Sequence, residues 1–162
     1  MPSNSTLRLS ARTAIATVAA ACGLISGPAL SADNPVVVEL TQVHCQFIES
    51  EHGRDHQFRS NQQADCEKIN ADSGKERLAQ AKILQLKPGK TIFRVTNKNV
   101  DYSLGFYVRG DGLINHARLP KVSGGGLTRG VTKDYEIELV PGEYVYSCPL
   151  NPTLDYKLIV KG

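Results

Sequence analysis

Tyr144-Val-Tyr-Ser-Cys-Pro-Leu-Asn-Pro-Thr-Leu-Asp-Tyr-Lys-Leu-Ile-Val160 holds two β-type runs joined by a Pro/Asn-rich turn, with a cysteine closing the first run. Alternating aromatic and β-branched residues fit half-buried strands, while Pro149, Asn151 and Pro152 cannot continue one. A strand that delivers a cysteine into a tight turn fixes that sulfur at one end of a sheet.

Upstream of this stretch the same pattern repeats. Pro141-Gly142 reverses the chain into Glu143-Tyr-Val-Tyr146, and Lys133-Asp-Tyr-Glu-Ile-Glu-Leu139 alternates apolar and polar residues. Ser103-Leu-Gly-Phe-Tyr-Val-Arg109 alternates as well, and Ile83-Leu-Gln-Leu86 and Thr91-Ile-Phe-Arg-Val-Thr96 flank a Pro88-Gly89 turn. The run Pro35-Val-Val-Val-Glu-Leu-Thr-Gln-Val-His44 reads as the first strand. Six or seven short strands at turn-marked intervals predict an all-β fold, a Greek-key antiparallel β-sandwich. Ser123-Gly-Gly-Gly-Leu-Thr-Arg-Gly130 reads as a mobile glycine connection, because no helix follows it to make a phosphate cradle.

Residues 46–80 break the pattern. They are polar and charged, and Ser73-Gly-Lys-Glu76 has the form of a capping box opening a short helix through Ala81. This segment is expected to be a polar, partly helical insertion folded on one end of the domain.

Residues 1–32 have the form of a cleavable signal peptide. Arg8 and Arg12 precede the apolar run from Thr13 to Ile25, and Ala29, Ser31 and Ala32 offer small residues for cleavage. Lipidation at Cys22 is the lesser alternative, since no large aliphatic residue stands three positions before it. One domain over residues 33–162 and a periplasmic location are therefore expected, with no transmembrane span in the mature chain. Cleavage removes two arginines and no acid, so the formal charge falls from +3 to +1. No basic block with interleaved aromatics is present, which argues against a nucleic-acid partner.

Three cysteines remain after cleavage: Cys45, Cys66 and Cys148. In an oxidising compartment an odd count means one disulfide plus a free thiol, or a set of ligands. Pairing Cys45 with Cys66 would tie down the insertion, closing a loop worth about 3 kcal/mol in the chain-entropy model. Pairing Cys45 with Cys148 would staple the end of the sandwich instead. The first is favoured because the insertion has little apolar material of its own.

Leu86-Lys-Pro-Gly-Lys-Thr-Ile-Phe-Arg-Val-Thr-Asn97 and Leu139-Val-Pro-Gly-Glu-Tyr-Val-Tyr-Ser-Cys148 together resemble the cupredoxins. Cys45 after the first strand and Asn151-Pro152 after the last cysteine are similar to the cupredoxin-like domains of EfeO-type periplasmic iron-uptake components. The resemblance covers roughly residues 36–45 and 82–161 and implies a sandwich that holds copper or iron. It also implies ligands that are missing: Val100-Asp-Tyr-Ser-Leu104 has no histidine, the loop after Cys148 has none, and Met1 is the only methionine. Nor does Ser103-Leu-Gly-Phe-Tyr107 carry the carboxylate found in the EfeO-type strand. A trigonal thiolate-and-two-imidazole copper centre is thus not expected.

The densest donor cluster lies instead between His44 and Cys66. A non-standard metal site is expected from Cys45 and Cys148 with imidazoles from His44, His52 or His56, set against a plain structural disulfide with solvated histidines. His116 stands alone and reads as a surface residue. No nucleophile has a nearby base, so no enzymatic activity is expected. The sequence points first to metal handling, with a periplasmic or inner-membrane metal-transport or redox protein as partner. A metal-free interaction module on the same scaffold comes second, and an electron carrier third.

Overall fold

The computed structural model describes residues 34–162; the signal peptide expected over residues 1–32, with Cys22, lies outside the described residues. Nine strands form two sheets. They are β1 (Val36–Val43), β2 (Gln46–Phe47), β3 (Leu84–Leu86), β4 (Gly89–Asn97), β5 (Leu104–Gly110), β6 (Val122–Leu127), β7 (Thr132–Leu139), β8 (Gly142–Ser147) and β9 (Tyr156–Val160). One sheet runs β2-β1-β4-β7 and the other β3-β9-β8-β5-β6. Pairing is antiparallel except for β1 with β4 and β3 with β9, which run parallel. Both parallel pairs bring together strands distant in the chain, as a sandwich whose consecutive strands change sheets requires.

Strand alternation builds the core. Along β7 Tyr135, Ile137 and Leu139 are buried while Thr132, Asp134, Glu136 and Glu138 supply the outer face. Opposite them stand Phe106 on β5, Tyr146 on β8 and Tyr156 and Leu158 on β9. Phe106 touches Phe47, Phe93, Tyr135 and Tyr146, with ring centroids 5.9, 5.3, 5.1 and 6.3 Å away. Asn97, fully buried, closes the turn after β4: its Nδ2 donates to the Val100 and Leu127 carbonyls and its Oδ1 accepts from the Val100 N–H.

Three segments differ from their sequence reading. The insertion carries an 18-residue helix, α1 (Gln63–Gln80), rather than a short one. Its start is fixed by Asp65, whose carboxylate accepts the backbone N–H groups of Asn61 and Gln62. Ser73, read as a cap, lies inside α1 and bonds back to the Ile69 carbonyl at 2.8 Å. The glycine stretch is not a mobile connection but strand β6, paired with β5. Glycine serves close approach there: a Cβ on Gly124 would lie 2.8 Å from the Tyr135 ring, and one on Gly105 would lie 2.8 Å from the Gly124 carbonyl. Finally, residues around His116 form a short helix, α2 (Gly112–Arg118), opened by Gly112 at φ +72°.

Candidate functional site

The β1–β2 turn, the chain entering α1, the β4–β5 connection and the β8–β9 loop meet at one end of the sandwich, and Asn151 joins them. Its Oδ1 accepts from the Cys45 N–H at 3.1 Å and from the Tyr102 hydroxyl at 2.8 Å, and it lies 3.1 Å from Cys66 Sγ. Its Nδ2 donates to the Val43 carbonyl at 2.9 Å, and its own backbone N–H donates to Cys148 Sγ at 3.3 Å. Asn151 is fully buried, and its amide satisfies buried backbone groups of the β1–β2 turn, the Cys45 N–H and the Val43 carbonyl.

Cys148, delivered by β8, is 1 % exposed and belongs to the apolar core. A second backbone donor, the Gly105 N–H, reaches its sulfur at 3.4 Å. The Cys148 N–H is taken by Thr153 Oγ1 at 3.0 Å, which folds the loop back on itself. Leu104, fully buried, precedes Gly105 and fills the apolar space beside it.

Cys45 and Cys66 form the disulfide, with Cα atoms 5.1 Å apart, and Cys148 is the free thiol. The pairing favoured from sequence is the one formed. Cys45 is consequently committed to sulfur and is not a thiolate donor beside Cys148, contrary to the ligand set read from sequence.

The three candidate histidines also part company. His44 and Cys45 are the two residues of a tight turn between β1 and β2, with Cys45 at φ 63°. That turn sends Cys45 inward and His44 to a surface pocket. His44 Nδ1 accepts from the Ser60 N–H at 3.2 Å and sits 2.8 Å from Ser60 Oγ, which in turn lies 2.8 Å from the Tyr102 hydroxyl. Burial, then the Arg59 charge, hold the His44 pKa below its ordinary 6.5.

His52 and His56 lie elsewhere, beside Glu51. His52 Nε2 is 2.8 Å from the Gln80 carbonyl and His56 Nε2 is 2.7 Å from Glu51 Oε2. Glu51, 6 % exposed, also takes the Arg77 guanidinium at 2.6 Å and the Tyr156 hydroxyl. Burial pushes its carboxyl up, but the bonds from Arg77, Tyr156 and His56 and the Arg77 charge outweigh that and hold its pKa below the ordinary value. Tyr156 is pushed upward, first by burial and then by the Glu51 charge. A small cavity of about 210 Å³ beside this cluster has Arg54 and Arg77 in its wall, which disfavours a cation. His116, on α2 after β5, has its Nε2 2.9 Å from the Tyr107 hydroxyl.

Among the described residues, no three His, Cys, Asp or Glu side chains come together as a metal site. The donors around Cys148 are backbone N–H groups, which cannot bind a cation, so they do not fit a copper centre of thiolate and imidazoles. Sequence reasoning did not single out Tyr102, Ser60, Arg59 or Arg129. None carries a motif, and only the folded turns bring them together.

The larger opening at this end, about 570 Å³, is walled by His44, Arg59, Asn99, Asp101, Tyr102 and Arg129 among others. Arg129 is paired with Asp101. Arg59 has no ion-pair partner among the described residues, and the buried Asn99 Oδ1 has no hydrogen-bond partner.

No family model matches the chain. No curated protein matches it either. Among solved structures it is similar to auracyanin B, at 12 % identity and TM-score 0.49, over 80 % of this chain and 92 % of that one. It is also similar to auracyanin A from Chloroflexus aurantiacus, described as a "blue" copper protein, at 14 % identity and TM-score 0.42, over 79 % of this chain and all of that one. By its own strand order and sheet pairing the chain is a two-sheet β-sandwich.

Proposed function

We propose that this protein is a metal-free binding module on a cupredoxin-like scaffold, working outside the cytoplasm. One observation carries the proposal: the sulfur that the β8–β9 loop presents is sealed in the core under two backbone N–H donors, with no imidazole on it. Asn151 and the disulfide use the end of the sandwich to fix loops rather than to collect ligands. The two details similar to EfeO-type domains have structural work here, since Cys45 closes the disulfide and Asn151 ties the loops together. Iron handling is therefore not carried forward. A structural disulfide supports export, because such bonds persist in oxidising compartments.

Metal analysis of purified protein, followed by titration with Cu(I) and Cu(II), tests this reading. No stoichiometric metal and no intense sulfur-to-copper absorption band are expected, and a thiol reagent should reach Cys148 only on unfolding. Stoichiometric copper with such a band, lost in Cys148→Ser, would restore metal handling or electron transfer and sink the proposal.

A further inference from the structure

We infer that the pocket walled by His44, Arg59, Asp101 and Arg129 binds a small molecule carrying a carboxylate or phosphate. This names the ligand of the binding module and rests on that reading.

Three features of the pocket converge on this chemistry. Arg59 brings a guanidinium with no ion-pair partner among the described residues to an opening of about 570 Å³. A guanidinium fork matches the two oxygens of a carboxylate or phosphate. His44 is 8 % exposed and cannot swing away, because Ser60 holds Nδ1 and Tyr102 and Asn151 hold Ser60 in turn. With the Ser60 N–H donating to Nδ1, the ring proton sits on Nε2, which has no protein partner among the described residues and is a second donor in the same wall. Arg129, an exposed guanidinium paired with Asp101, adds a second positive group to the wall with part of its charge already answered.

The donors therefore call for an oxyanion. A free cation is disfavoured by the two arginines. The charged groups facing His44 are Arg59, Asp101 and Asp55, and Asp55 Oδ1 is taken by the Gln57 N–H. Burial and Arg59 keep His44 neutral near pH 7, and a bound anion favours its protonation, so binding should tighten as the pH falls toward and below 6.5.

The test is calorimetric titration of the purified protein with malate, succinate and inorganic phosphate. Saturable binding of at least one anion at millimolar concentration is expected. The preferred probe then distinguishes carboxylate from phosphate. Arg59→Gln should weaken binding about tenfold or more through the lost charge-assisted bonds. Arg54→Gln, beside the other cavity, should leave it unchanged. Failure of all three probes to saturate, or equal affinity in Arg59→Gln, overturns the inference. Copper binding at Cys148 in the same samples would overturn the metal-free reading instead, so the two failures are separable.

Discussion

Glu51 shows how much a single side chain can hold in this fold. Its two oxygens receive Arg77 from α1, Tyr156 from β9 and His56 from the insertion, all at a residue 6 % exposed. Arg77 itself is 7 % exposed and also donates to the Cys45 carbonyl, so removing the carboxylate strands a buried guanidinium. Glu51→Gln is expected to cost about 3 kcal/mol in denaturant unfolding. The same pair sets the acid limb of stability. The folded-state pKa lies below the ordinary 4.5, so the contribution is complete above that value and is lost as pH falls through the folded-state pKa. Measured between pH 7 and pH 3, wild-type stability should fall more steeply than that of Glu51→Gln. Equal slopes would show that the carboxylate is not held ionised by these partners.

At the scale of elements, α1 and β6 explain where the sequence misled. A surface helix is usually read from an apolar stripe, but α1 buries only Cys66, Gly74 and Arg77. It is held by the disulfide, by the Arg77 bonds, by Asn70 Nδ2 on the Pro152 carbonyl at 2.7 Å, and by Gly74 lying against Leu154. None of these leaves a periodic signature. In β6 the glycines that suggested mobility permit contact with Tyr135 and β5. The strands β4, β5, β7, β8 and β9, by contrast, came through within a residue or two, because β4, β7 and β9 alternate across a half-buried sheet and β5 and β8 are short apolar runs between turn residues. Since so little apolar area anchors α1, reducing the Cys45–Cys66 bond should raise amide hydrogen exchange chiefly in residues 63–80, with the core of β4 and β8 retaining protection. Uniform loss of protection across both sheets would refute this picture.

Taken whole, the molecule is a sandwich whose stability centres on an aromatic cluster and whose turns carry its chemistry. Phe106 is 1 % exposed and sits among four aromatic rings. Phe106→Ala should lower unfolding free energy by about 4 kcal/mol, and a loss under about 1 kcal/mol would mean the cluster is not the centre of packing. The sandwich was legible in the sequence because period-two alternation is a local property. The end bearing Asn151, His44 and Arg59 was not, because it is assembled from four separate turns whose meeting depends on sheet order. Adjacent residues did not share a fate: His44 and Cys45 point to different places, which no spacing rule reveals.

The order of the three mature cysteines along the chain has a consequence for biogenesis. Cys45 and Cys66, 21 residues apart, cross the membrane ahead of Cys148 if export is vectorial from the N-terminus. The correct bond can then close between consecutive cysteines before the competing thiol emerges, and completion of β8 and β9 afterwards buries Cys148 beyond the reach of oxidants. A chain oxidised only after full release from denaturant meets three possible pairings at once. Secretion into an oxidising space should therefore yield more correctly bonded protein than refolding of the complete reduced chain, without help from a disulfide isomerase.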